Sequence, residues 1–82
     1  QRAAVSDLPA EALVRFEALR AWRAETARSH GVPAYVIFHD ATLREVALSC
    51  PQSLDDLAHI SGVGARKRDA YGEQLLESIR SA

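Results

Sequence analysis

A single cysteine, Cys50, stands in the 82-residue sequence, so no intramolecular disulfide can form and a disulfide-stapled secreted scaffold is excluded. No apolar run approaches the ~18 residues of a membrane-spanning helix. The N-terminus carries no secretion-type apolar stretch either, and the chain is read as intracellular. Methionine is absent and the chain opens on Gln1, which is read as a segment of a longer protein. With three prolines and four glycines there is little to interrupt helices, and alanine is abundant, so the balance favours helix over sheet.

An excess of charge of either sign is also missing. Ten Lys and Arg oppose eleven Asp and Glu, for a formal net charge of −1. Proteins that hold nucleic acid tightly on their own show a basic excess or a basic stripe. This balance predicts a local patch and weak, salt-sensitive binding. Hydrophobic content is 48% and charged content 26%, the signature of a globular chain rather than a disordered one. A chain of this length buries roughly 60% of its unfolded surface, enough for one small core.

The apolar periodicity predicts an all-α bundle of four to five short helices. Residues 1–8 read as a linker and residues 9–82 as a single domain. Ser6 or Asp7 is a candidate cap for the first helix, with Pro9 near its first turn. From about 10 to 29, Ala12, Phe16, Leu19, Trp22, Thr26 and Ala27 share one side. Glu17, Arg20, Glu25 and Arg28 share the other. Gly31 is placed to end the helix and Pro33 to block its continuation. Val36, Ile37 and Phe38 have the composition of a strand. No second strand candidate exists, and 32–40 is read as an ordered, partly buried loop.

Asp40 is read as the cap of the second helix, or Thr42 and Glu45 as a capping box one turn in. Leu43, Val46, Ala47 and Cys50 form its apolar stripe, and Pro51 ends it. Ser53 and Asp56 signal the start of a short third helix with Leu54, Leu57, Ala58 and Ile60 inward. "SGVG" (61–64) is the turn into a last helix from about Ala65 to Ile79, with Tyr71, Leu75, Leu76 and Ile79 inward. Gly72 lies mid-helix, where glycine costs about 1 kcal/mol against alanine, and a close helix–helix approach explains it.

Catalytic and metal chemistry find no residues. His30, His39 and His59 share no helix face and have no cysteine pair beside them, so they are read as loop-end or cap residues. Cys50 is read as a small core residue and Trp22 as core packing. Asp55 and Asp56 fall in a first helical turn, where they complement the dipole. No phosphate-loop motif occurs, and no metal or cofactor is expected.

"GVGARKR" (62–68) does carry binding chemistry. Gly62 and Gly64 can adopt positive φ, and such a turn leaves N–H groups free for a phosphate oxygen, with the next helix N-terminus adding to it. Arg66, Lys67 and Arg68 follow where a helix prefers acidic residues. An anion nearby would account for them; so would plain exposed cations pairing with Asp69 or Glu73. Tyr35 has two readings as well, a platform for an unpaired base or a lid on the core.

Residues 16–79, and above all "GVPAYVIFHDATLREVA" and "GVGARKRDAYG", resemble the HRDC domain, the helicase-and-RNase-D C-terminal module. The resemblance implies a helical bundle with a helix-hairpin-helix-like C-terminal element. It implies an accessory role without catalysis, most simply in a bacterial RecQ-type DNA helicase acting on single-stranded or branched DNA, with ribonuclease D as the other host class and RNA as its polymer. In RecQ-type relatives the tyrosine of the "PxYV" stretch and nearby cations are implicated in single-strand contact; Tyr35 and Arg66 to Arg68 occupy those positions. The sequence departs from stronger DNA binders in carrying Glu11, Glu17 and Glu25 on the first helix and Asp55, Asp56 and Ser61 before the turn. That departure supports an alternative, a module that docks on its helicase core, sister domains or a protein partner through Glu17, Glu25, Asp55 and Asp56. A monomer is expected, in the bacterial cytoplasm near the nucleoid. Arginine outnumbering lysine nine to one points to a GC-rich bacterial source.

Overall fold

The long apolar stripe beginning at Ala12 does form a helix, and three of the other elements pack directly on it. In the computed structural model, which describes residues 8–82, this is α1 (Ala10–His30). It is followed by α2 (Ala34–Ile37), α3 (Asp40–Ser49), α4 (Leu54–Leu57) and α5 (Ala65–Ser81), with no strand among the described residues. Helices α2, α3 and α5 pack on α1, and α4 packs on α5. Phe16 and Leu19 from α1, Leu43 and Val46 from α3, Leu57 from α4 and Leu75 from α5 meet in one core from which solvent is excluded. Leu8, at the end of the segment read as a linker, is buried in that core.

Helix ends follow the local chemistry in some places and tertiary packing in others. Caps from Ser6 or Asp7 fall outside the described residues; the N-cap of α1 is Pro9, without a side-chain bond. Gly31 closes α1 in the left-handed conformation at φ 67°, and Val32 N–H returns to the Ala27 carbonyl at 3.1 Å. The segment read as a loop contains the one-turn helix α2, closed by Phe38 N–H to Ala34 O at 3.3 Å. A single turn is too short to show a period, and Val and Ile are weak helix formers. Burial of Ile37 and Phe38 holds it.

Asp40 is not the cap of α3. His39 takes that position, and Asp40 lies in the first turn, where its charge complements the dipole. The alternative box of Thr42 with Glu45 does not form, because Thr42 is buried toward the turn at Gly62. Cys50 does not extend the apolar stripe. It is the C-cap at φ 49°, a left-handed conformation few non-glycine residues take, and is half-buried. Ser53 does cap α4, accepting from Asp56 N–H at 3.2 Å, while the Asp56 carboxylate accepts from Gln52 N–H at 3.0 Å. Leu57 and Ile60 point inward as expected, whereas Leu54 and Ala58 are exposed.

The two glycines of the turn have different duties. Gly62 sits at φ 93°, and a Cβ there would meet the Thr42 hydroxyl at 2.2 Å, so both its conformation and its surroundings demand glycine. Gly64 has φ −77°, an ordinary extended value, and nothing stands within 4 Å of a Cβ built on it. Positive φ, open to both from sequence, is realised only at Gly62. Gly72 provides the expected close approach: a Cβ there would lie 2.6 Å from Leu54 Cδ2. That contact seats α4 on α5.

One polar contact organises the opposite end. Arg23 interrupts the apolar side of α1 and is only 8% exposed. Its Nη1 donates to the Phe38 carbonyl at 2.8 Å and its Nη2 lies 2.7 Å from Asp40 Oδ1. Its Nε has no partner. The rings of Trp22, Phe38 and Tyr71 enclose the same corner, with centroids 5.6 to 6.1 Å apart.

Two stability outcomes follow, both read by urea unfolding. Gly62→Ala should cost about 2 kcal/mol or more through strain and the Thr42 clash, and Gly64→Ala no more than about 1 kcal/mol, the value of a changed N-cap. Equal costs would sink the distinction drawn between the two glycines. Arg23→Met keeps the stem but strands a buried carbonyl, for an expected loss of about 1–3 kcal/mol. Asp40→Asn, at the exposed end of the pair, should cost about 1 kcal/mol or less.

Candidate nucleic-acid interface

The cations of "GARKR" open α5, but they do not act as a set. Arg66 is exposed and Arg68 is half-buried. Neither has a carboxylate partner among the described residues, and neither Asp69 nor Glu73 neutralises them. Lys67 turns inward. Its Nζ donates to the Val36 carbonyl at 3.0 Å and stands 5.3 Å from the centre of the Phe38 ring. Lys67 therefore braces the end of α2 against the start of α5, combining a charge-assisted hydrogen bond with a cation–π contact. Gly64 is the N-cap and supplies no side-chain acceptor, and the first turn of α5 holds no acidic residue. Arg66 and Arg68 thus leave two unpaired guanidinium groups on different sides of a positively polarised helix start.

Across that brace lies α2. Tyr35 is 61% exposed, which makes it a surface ring rather than a lid on the core, and it stacks on His39 with centroids 6.0 Å apart and planes 24° from parallel. Val36 beside it is 43% exposed. Between α2 and α5 runs a groove of about 300 Å³ lined by His30, Val32, Val36, Arg66, Ala70 and Tyr71, among others. Residues 66, 67, 70 and 71 reach it together because α-helical spacing puts them on one face. Gly62 takes no part; it is committed to the Thr42 contact on α3.

Elsewhere among the described residues, several arginines are engaged within the domain. Arg20 pairs with Glu17 at 3.8 Å, Arg28 with Glu25, and Arg80 with Glu77 at 3.3 Å, each one helical turn apart. Arg15 donates to the Ala47 carbonyl at 2.8 Å. The acidic residues offered as a docking surface are spread out. Glu17 and Glu25 face their own arginines, and Asp55 and Asp56 lie in the first turn of α4, Asp56 engaged with Gln52 N–H. Among the described residues no group of three or more His, Cys, Asp or Glu is placed to hold a metal ion, and no helix is long and apolar enough to cross a membrane.

Sequence reasoning passed over Arg23, His30, Ala70 and Tyr71 as parts of this region. Arg23 did leave a signal, an arginine four residues from both Leu19 and Ala27 on a buried stripe. The groove left none, since its two walls are some thirty positions apart and are aligned by tertiary contacts such as Lys67–Val36 and Phe38–Tyr71.

The model of the HRDC domain matches residues 12–79. The ATP-dependent DNA helicase RecQ of Bacillus subtilis is 44% identical over 66 residues, covering 80% of this chain and 11% of the helicase. The ATP-dependent DNA helicase UvrD2 of Mycobacterium tuberculosis is 44% identical over 62 residues, covering 76% of the chain and 9% of that protein. Ribonuclease D of Sphingobium indicum is 32% identical over 82 residues, 21% of its length. The chain spans about a tenth of the length of the helicases it matches. The solved structure of D. radiodurans RecQ HRDC domain 3 superposes with a TM-score of 0.82 at 37% identity, covering 85% of this chain and 92% of that one. Fold, motif order and family model agree, and the chain belongs to the HRDC domain family.

Proposed function

We propose that this chain is a non-catalytic accessory domain of a bacterial RecQ-type DNA helicase, and that it adds weak phosphate and stacking contacts to single-stranded or branched DNA. The observation that carries the reading is the pairing of two features across the Lys67 brace: an uncapped helix start with Arg66 and Arg68 unpaired, and the exposed ring of Tyr35. Phosphates are recognised by guanidinium forks and helix N-termini. Bases that have lost their partners are recognised by aromatic faces. RecQ relatives and the RecQ HRDC neighbour favour this host and DNA as the polymer.

The test is a titration of the 82-residue chain with labelled single-stranded DNA, forked DNA and single-stranded RNA at several salt concentrations. Two phosphate contacts should give a log–log salt slope of about −1.4 on single strands. The double variant Arg66→Glu, Arg68→Glu should lower affinity about tenfold or more, as expected for two charge-assisted bonds. Lys67 is left in place because it braces α2. Binding that survives this variant unchanged refutes the phosphate assignment. Undiminished preference for RNA points to a nuclease host, and no DNA binding at low salt leaves docking on protein as the reading.

Gly64→Asp gives a second handle. A carboxylate at an N-cap with room for it should stabilise α5 by about 0.5 kcal/mol. The same charge should weaken DNA binding by occupying the N–H groups a phosphate would use. Stability and affinity are expected to move in opposite directions; affinity unchanged in a stabilised variant would remove the helix start from the contact.

A further inference from the structure

We propose that the groove between α2 and α5 is a subsite for one unstacked nucleobase, held with its backbone phosphate on Arg66. The proposal rests on the nucleic-acid reading above and gives a second base a place of its own, apart from the face of Tyr35. Val32, Val36 and Ala70 supply apolar contact, His30 and Tyr71 supply rings at 6.3 Å from each other, and Arg66 stands at the rim without a carboxylate partner. An apolar slot with one unpaired cation at its edge complements a nucleotide, which carries a flat, weakly polar base and one charge. At about 300 Å³ the groove lies at the small end of ligand sites. It has room for one planar group and lacks the row of anchor positions that a bound helix or strand requires.

Lys67 gives the groove its definition. The Nζ bond to the Val36 carbonyl ties one wall to the other at 3.0 Å, and the Phe38 ring behind it is only 1% exposed. The walls are thus set before any ligand arrives, so a base entering the slot orders little protein. Lys67 acts here as a positioning residue, and Arg66 as the phosphate ligand.

The experiment compares oligothymidylate of roughly a dozen nucleotides, a length within single-strand site sizes, with an abasic strand of the same length. Each is titrated into the wild-type chain and into Ala70→Leu. Ala70 is exposed on α5, so leucine there fills the groove without entering the core or altering charge. Wild type should prefer the strand with bases by about fivefold or more, the low end for one stacked base. Ala70→Leu should remove the groove's share of that preference, severalfold, leaving the share due to Tyr35 and an unchanged salt slope. A second measurement needs no variant: methyl resonances of Val32, Val36 and Ala70 should shift with oligothymidylate and stay still with the abasic strand. Equal affinity for both strands by wild type, or a preference undiminished in Ala70→Leu with those methyls unmoved, overturns the subsite while the phosphate contacts stand. Methyl shifts caused by an apolar peptide and not by oligothymidylate overturn it in favour of protein docking. Failure to bind either strand overturns the nucleic-acid reading itself, and the subsite with it.

Discussion

Phe38 is held at both ends, and the arrangement of the molecule around α2 depends on that grip. Its carbonyl accepts from the buried Arg23 guanidinium, and its ring is enclosed by Trp22, Tyr71 and the Lys67 ammonium. A one-turn helix of Ala, Tyr, Val and Ile has almost no stability of its own. It exists because the residue that follows it is anchored to α1 by hydrogen bond and to α5 by packing. Tyr35 is displayed outward as a consequence of Ile37 and Phe38 being pulled inward. The exposed ring and the buried one are two sides of a single constraint.

Most of the fold could be read from periodicity and from local end signals. The α1 stripe runs long enough for its spacing to be unmistakable, Gly31 and Ser53 stop and start helices for reasons internal to a few residues, and Gly72 marked a close approach before any neighbour was known. Two of the failures share one cause. At α2 and at Asp40 the conformation is fixed by partners on α1, so local propensity carried no information about them. Asp40 has every property of a cap, yet the pull of Arg23 from α1 finds it one position inside the helix.

The candidate site was legible as a list of residues and illegible as an arrangement. Tyr35 and Arg66 were visible from motif and charge. Lys67 could not be told from its arginine neighbours, because the difference lies in where the side chain turns, and that is set by a carbonyl 31 positions away. The same holds for Gly62 and Gly64. Both looked like conformational freedom; one is a steric necessity against Thr42 and the other an open N-cap.

The one-turn Arg–Glu pairs have a consequence for how such a module meets any charged partner. Each pair is a short dipole whose field falls off faster than a lone charge's and is screened beyond about 10 Å, and a chain of net charge −1 has almost no monopole behind it. Long-range attraction therefore contributes little to encounter rate. What a neutral module loses in steering, covalent attachment restores as effective concentration, reaching the millimolar range over short linkers. Local neutralisation suits a domain that meets a charged partner by being held beside it rather than by drawing it in from a distance.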